Sequence, residues 1–392
     1  MATINQSNPE SLGLPDAAAP SQQTPQLQSQ HDQDELAFEV ASQWQLMWWK
    51  FRKHHLAMIG GAVVLMFYFV ALFADFFAPV ATDTYIAEYA YAPPQSINLF
   101  HDGRFEPYVN AYKFERDPRS FKKIWTLDET TIVPIGLFVQ GESYKLLGLI
   151  DTNIHLIGPR EPGQPFYLMG ADMNGRDVFS RVIYSSRVSL SIGLVGVFLS
   201  LSLGIILGGI SGLVGGTVDN VIQRVIEITL SIPTLPIIMA LAALVPIDWP
   251  VLLVYFIISI LLAFVGWTGL ARVVRSKFLA LREEDFVLSA RLDGARSRRL
   301  IFRHMLPSFY SHIIASVTLA LPGMILGETA LSFLGVGLRP PVVSWGVQLQ
   351  EAQKINVIAS YPWLLSPAFA VIIIVLAFNF LGDGLRDAAD PY

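Results

Sequence analysis

Six stretches of this chain are apolar enough, over enough residues, to leave little choice of fold. They run at roughly 56–80, 188–214, 221–246, 251–271, 308–327 and 363–382, each close to the ~20 residues that a ~30 Å hydrocarbon core demands of a helix. In lipid a backbone must satisfy its own polar groups, so such runs become membrane-spanning helices rather than loops or open strands. A mean hydropathy of +0.47, with 15% charged residues in 392, points the same way. The chain reads as an all-α polytopic membrane protein with six transmembrane helices, and a soluble enzyme is excluded.

Six spans place both termini on one side, and positive charge in short loops selects the cytoplasm. Lys50, Arg52 and Lys53 precede the first span, Arg386 follows the last, and segment 272–307 holds nine Lys/Arg against four Asp/Glu. Residues 1–43 lack Lys and Arg and are rich in Gln, Pro and Ser, the composition of a disordered cytoplasmic tail. Segment 44–80 combines an interfacial stretch, with Trp44, Trp48 and Trp49 on or near one face, and a first span too long for a cleaved signal. Residues 81–186 then lie outside. Their short apolar runs at 131–141, 143–150 and 153–158 are separated by Gly, Pro and Asp, and read as strands of a small extracytoplasmic β-containing insertion. Residues 187–392 form the membrane core, with 272–307 as its cytoplasmic loop. The chain has no cysteine, which removes disulfides, thiolate nucleophiles and cysteine metal sites together.

Within that loop, residues 288–307 read LSARLDGARSRRLIFRHMLP, with five arginines and a histidine in a chain that is otherwise sparing with charge. Good helix formers lead up to Gly294 and a helical pattern resumes after it. Gly294 supplies the reversal, since glycine alone takes left-handed backbone angles without steric cost. Pro307 falls at the start of the next span, where a helix tolerates it best. On charge alone the arginines could simply bind anionic lipid, at about 1 kcal/mol each.

Spacing adds to that reading. The segment resembles the coupling signature of ABC importer permeases: a Glu-Ala-Ala triplet, three variable residues, a glycine, nine variable residues and Ile-x-Leu-Pro. Here the positions are Leu288, Ser289 and Ala290, then Gly294, then His304, Met305, Leu306 and Pro307. Leu288 stands where Glu is usual, Ser289 replaces the first alanine and His304 replaces isoleucine. GADMNGRDVFSRVIYSSRVSLSIG (170–193), GGTVDNVIQRVIEITLSIPTLP (215–236), ETALSFLGVGLRPPVVSWG (328–346) and FNFLGDGLRDAADP (378–391) are similar to parts of the C-type permease of oligopeptide and dipeptide importers. The resemblance implies a type I importer fold in a bacterial inner membrane. It implies a second homologous permease, cytoplasmic ATPase subunits and an extracytoplasmic solute-binding protein as partners, with lipid around the spans and no nucleic acid. It places ATPase coupling on Leu288, Ser289, Ala290, Arg291, Asp293, Gly294, Ala295, Arg298, Arg299 and Pro307. No cofactor is expected on this chain, ATP and Mg being used by the partner ATPase. Peptides are the expected cargo, with oligosaccharides or other small solutes as alternatives.

Other features weigh less. DMNGRD (172–177) has Asp177 where a calcium loop needs glycine and Ile183 where it needs glutamate, and is expected to be a turn with internal ion pairs. Glu328 is an acid in an apolar setting: either a pathway or gate residue, or a cap on a short interfacial helix if the fifth span ends near Gly327. Pro233, Pro236 and Pro322 read as kinks. The scattered histidines lack zinc spacing, no nucleophile motif is evident, and the phosphate-cradling G-x-x-x-x-G-K-[ST] is missing. An ion-coupled secondary transporter would show repeat-related broken helices and several intramembrane acids.

Overall fold

The computed structural model describes residues 43–119 and 123–389. The expected disordered tail at 1–43 lies almost wholly outside them. The chain divides into two units at Trp49/Lys50. Of the first, only the start of helix α1 (Gln43–Lys53) is described, with Trp44 and Trp48 on one exposed face.

Among the described residues of the second unit, five helices are long and apolar enough to cross a membrane, six if one bent pair counts as a span. They are α2 (His55–Leu72), α3 (Val178–Val214), the pair α4 (Gly216–Ser231) and α5 (Thr234–Ala242), α6 (Val251–Leu281), α8 (Tyr310–Phe333) and α11 (Ser366–Ala389). Between them lie α7 (Asp285–Leu292), α9 (Trp345–Glu351) and α10 (Ile355–Ser360). The expected third span at 221–246 is not one rod: its halves meet at 87°. Pro233 is the cause, because it drives the preceding residue out of the helical region, and Ile232 is extended at φ −99°, ψ 132°. It is a break, not an ordinary kink.

Small residues let the spans approach closely. Gly204, Gly208 and Gly212 recur every four residues along α3 and face α6; a Cβ on Gly208 would fall 2.4 Å from the Ala271 carbonyl oxygen, and one on Gly212 would fall 2.8 Å from that of Arg275. Without a hydrophobic drive between helices in lipid, this backbone-to-backbone packing supplies the attraction. The main core gathers Leu190, Ile192, Ile258, Ile325, Trp345 and Ile374 from α3, α6, α8, α9 and α11.

Between α2 and α3 the chain forms a four-stranded antiparallel meander: β1 (Asn98–His101), β2 (Arg104–Arg116), β3 (Lys123–Leu146) and β4 (Ile150–Pro159). The β-containing insertion is therefore present, with longer strands than its apolar runs suggest. β3 is a single strand of 24 residues that pairs with β2 in its first half and β4 in its second. Its dry side is Val109, Val133, Ile135 and Phe166. Asp128 accepts from Lys113 Nζ at 2.8 Å and from the hydroxyls of Thr130 and Thr131; these donors, Lys113 first, hold its carboxyl well below the usual range.

Candidate functional site

The arginine-rich segment folds as helix, turn and helix. α7 ends in a Schellman turn: Gly294 N–H donates to the Arg291 carbonyl and Ala295 N–H to that of Ala290, both at 3.0 Å. Gly294 sits at φ +79°, the left-handed angle this turn requires. The chain resumes in turns at Ser297–Arg299, Leu300–Met305 and Leu306–Phe309, the middle one π-helical, and passes directly into α8. Pro307 lies in the last turn.

The segment has two faces. Val287, Ala290, Leu300, Ile301, Met305 and Leu306 are buried in one cluster with Leu213 of α3, Val274 and Phe278 of α6, and Ile313 of α8. Ala295 packs against the same cluster. Opposite it, Leu288, Ser289, Arg291, Asp293, Gly294, Arg298 and Arg299 are exposed, as are Arg296 and Arg303. No salt bridge among the described residues reaches any of these five arginines. The exposed face also carries Phe286, Phe302 and Leu292, the last 89% exposed. These three were not among the expected site residues. Their signal was available as apolar positions out of phase with the buried ones.

Glu328 lies elsewhere. It is fully buried, and α8 runs through it to Phe333, so it does not cap a separate interfacial helix. Three hydroxyls donate to its carboxyl: Ser189 at 3.1 Å, Ser332 at 2.9 Å and Ser344 at 2.7 Å. Each serine oxygen in turn accepts a backbone N–H from the chain that follows α8, either in the connecting stretch or in the first turn of α9. Trp345 donates to Ser189 at 3.3 Å, Leu338 to Ser332 at 3.0 Å and Val347 to Ser344 at 3.2 Å. Backbone N–H groups without a partner in their own helix or ladder, first-turn groups included, must be satisfied by protein away from water, and here one carboxyl terminates three such relays. Gly346 permits the approach, since a Cβ there would fall 2.7 Å from the Thr329 carbonyl oxygen.

The DMNGRD turn leads into α3. Asp172 accepts from the backbone of Asn174 at 2.8 Å and Arg176 at 3.0 Å, and Gly175 sits at φ +79° in a place where a Cβ would also meet the Ile86 carbonyl. Its ion pairing is not internal. The buried Arg181, on α3, lies 3.7 Å from Asp172 and 3.6 Å from Glu351. Asp177 caps α3 by accepting from the N–H groups of Phe179 and Ser180; burial nevertheless pushes its carboxyl up to about 6, and burial likewise raises Glu351.

Residues 204–392 match the family described as binding-protein-dependent transport system inner membrane component, and residues 42–94 match the N-terminal TM domain of oligopeptide transport permease C. The oligopeptide transport system permease protein OppC of Haemophilus influenzae is 36% identical over 242 residues, covering 62% of this chain and 75% of that protein. The dipeptide transport system permease protein DppC of Alkalihalophilus pseudofirmus is 38% identical over 223 residues, 57% of this chain and 71% of that protein. Among solved structures, an inward facing MetNI methionine ABC transporter aligns with TM-score 0.39 at 16% identity, over 54% of this chain and 97% of that one. The chain belongs to the family of inner membrane permease components of binding-protein-dependent transport systems. It is a multi-pass transport subunit of the ABC importer kind, not an enzyme.

Proposed function

We propose that this permease is one of two related membrane-spanning subunits of an importer for peptides, driven by ATPase subunits that bind ATP and Mg and supplied by an extracytoplasmic solute-binding protein. The arrangement that carries the reading is the two-faced segment 283–307. One face is keyed into α3, α6 and α8, so it moves with them; the other presents Leu288, Leu292 and five exposed arginines to a partner. Leu288 and Leu292, four apart on α7, offer an apolar contact where the family's usual glutamate would offer an ion pair. The positive charge beside α2 and in 272–307 supports cytoplasmic termini in a bacterial inner membrane. The matched oligopeptide and dipeptide permeases support peptide cargo over oligosaccharides.

The test is co-purification of the tagged permease with candidate ATPases, then ATP-dependent uptake of peptide and oligosaccharide by proteoliposomes holding the full complex. Leu292→Glu alters only the exposed face. Loss of the ATPase in that variant, with peptide uptake by wild type, supports the proposal. Undiminished ATPase retention by the variant removes the docking role, and uptake of the sugar alone removes the peptide.

A further inference from the structure

The hairpin joining β3 and β4 is unusual for one that emerges from a membrane protein. Its ladder pairs Tyr144 with Thr152, Lys145 with Asp151 and Leu146 with Ile150. The turn closes through N–H bonds from Gly148 to Lys145 and from Leu149 to Leu146, both 3.0 Å. Leu147 and Gly148 take φ +52° and +73°. Such positions ordinarily go to Asn, Asp or Gly because a branched side chain is strained there and a tip faces water. This one instead exposes Leu147, Leu149 and Ile150, Leu149 by 83%. In water a protruding apolar tip of this kind is an aggregation hazard.

Its placement gives the reason. The base of the hairpin is fixed just beyond the end of α2, where the His155 ring contacts the Ala78 carbonyl at 2.6 Å and Glu142 accepts from the Ala81 N–H at 3.0 Å. From there the strands run back along the outside of the spans. Lys145 and Leu147 share a cleft of about 760 Å³ with Tyr68 and Leu72 of α2 and Leu190 and Leu194 of α3. The Asp75–Arg187 pair, at 2.8 Å, marks the polar rim of that cleft, and Leu194 lies seven residues, or about 10 Å, further along its helix. The tip is thus continuous with the exposed apolar band formed by Leu65 and Phe69 on α2 and Leu194 and Phe198 on α3. The Lys145–Asp151 pair at the neck, 3.9 Å apart and exposed, is the last charge before the turn. Charge at the neck and only apolar groups beyond it is the profile of an element seated in a bilayer interface, with lysine reaching back toward headgroups.

We propose that the β3–β4 tip is a lipid anchor: Leu147, Leu149 and Ile150 enter the acyl chains of the outer leaflet and hold the sheet against the membrane beside α2 and α3. The inference rests on the chain's being a membrane permease and is independent of what it transports. Because the sequence contains no cysteine, Leu149→Cys and Asp102→Cys each give one labelling site in the full chain, the second at the exposed β1–β2 tip. Both are spin-labelled in the assembled complex in nanodiscs of phosphatidylcholine and phosphatidylglycerol, with retained ATP hydrolysis as the check on folding. The expected result is that the label at 149 collides freely with oxygen and loses collision with a water-soluble nickel chelate, while the label at 102 keeps it. Equal chelate collision at both sites puts the tip in water and overturns the proposal. Loss of both reagents at 149 puts the tip against protein, a second permease for instance, and overturns it equally.

Discussion

Glu328 offers the sharpest quantitative test of how the membrane core is held. Replacing it with leucine conserves much of its volume but removes the acceptor for three serine hydroxyls at 2.7–3.1 Å. Each hydroxyl also accepts a backbone N–H from 338–347, so the loss falls on that backbone. Leaving a buried donor unsatisfied costs about 1–3 kcal/mol, whereas hydrogen bonds between membrane helices average about 0.6 kcal/mol because partners reorganise. Three of them bracket the expected destabilisation at about 2 to 9 kcal/mol. Glu328→Gln keeps one acceptor oxygen, which can serve Ser332 and Ser344, and should cost roughly one bond, about 1 kcal/mol. The assay is amide hydrogen exchange over 336–349 in nanodiscs, beside detergent-induced unfolding. A loss of 2 kcal/mol corresponds to roughly thirtyfold faster exchange at Leu338, Trp345 and Val347. If Glu328→Leu exchanges and unfolds as wild type does, the carboxyl is not the terminus of these relays.

Two further outcomes follow from local geometry. At Gly294 a Cβ would meet nothing within 4 Å, so substitution there costs backbone strain alone, about 1–2 kcal/mol for alanine. ATPase affinity should fall roughly 5–30-fold for Gly294→Ala, further for Gly294→Val and least for Gly294→Asn, which tolerates the left-handed region; equal affinities across the series would show that the Schellman turn is not needed for docking. At Asp177 the folded carboxyl is raised from 3.8 to about 6. Between those values the folded form keeps a proton that the unfolded form releases. Its contribution is thus present at low pH and lost as pH rises through that window, by up to about 3 kcal/mol. Asp177→Asn keeps the cap to Ser180 and should flatten thermal stability between pH 4 and 6; an unchanged slope would assign that pH dependence to another group.

How far the sequence revealed this molecule depended on whether the deciding contact was local. Gly294 was legible because a helical pattern on either side of one glycine encodes a turn without help from elsewhere, and the glycine takes the left-handed angle so expected. The hydropathy windows placed the spans but not their ends. α3 begins ten residues before its window, since Ser180, Arg181, Ser185, Ser186 and Arg187 lower the local hydropathy. Arg181, Ser185 and Ser186 are nonetheless buried, with Asp172 and Glu351 near Arg181 and Gln348 donating to Ser185. The 87° break was hidden because its two halves taken together still pass as one apolar span, although Pro233 announced it. β2, RFEPYVNAYKFER, carries an alternation that a search for apolar runs passes over. The Glu328 relay was illegible in principle: Ser189 is 139 residues away, and no periodicity ties it to Ser332 and Ser344.

The two sites are joined through α8. At one end its Ile313 is buried in the same cluster as Val287, Leu300 and Met305 of the arginine-rich segment; fifteen residues along, about 22 Å by helical rise, Glu328 fixes the chain that follows it. Pro322 lies between them within an uninterrupted helix. On the proposed docking of an ATPase at the exposed arginine face, a push there would reach 338–347 through α8. Packed interfaces of this kind switch between discrete arrangements instead of deforming continuously. On that proposal, an ATPase that prefers one arrangement of the segment would shift the population of α8 positions by its difference in affinity and by no more than that. Glu328 and Ser332 of α8 reach Leu338 directly and Trp345 and Val347 through Ser189 and Ser344, so a displaced α8 would either carry 338–347 with it or break these bonds.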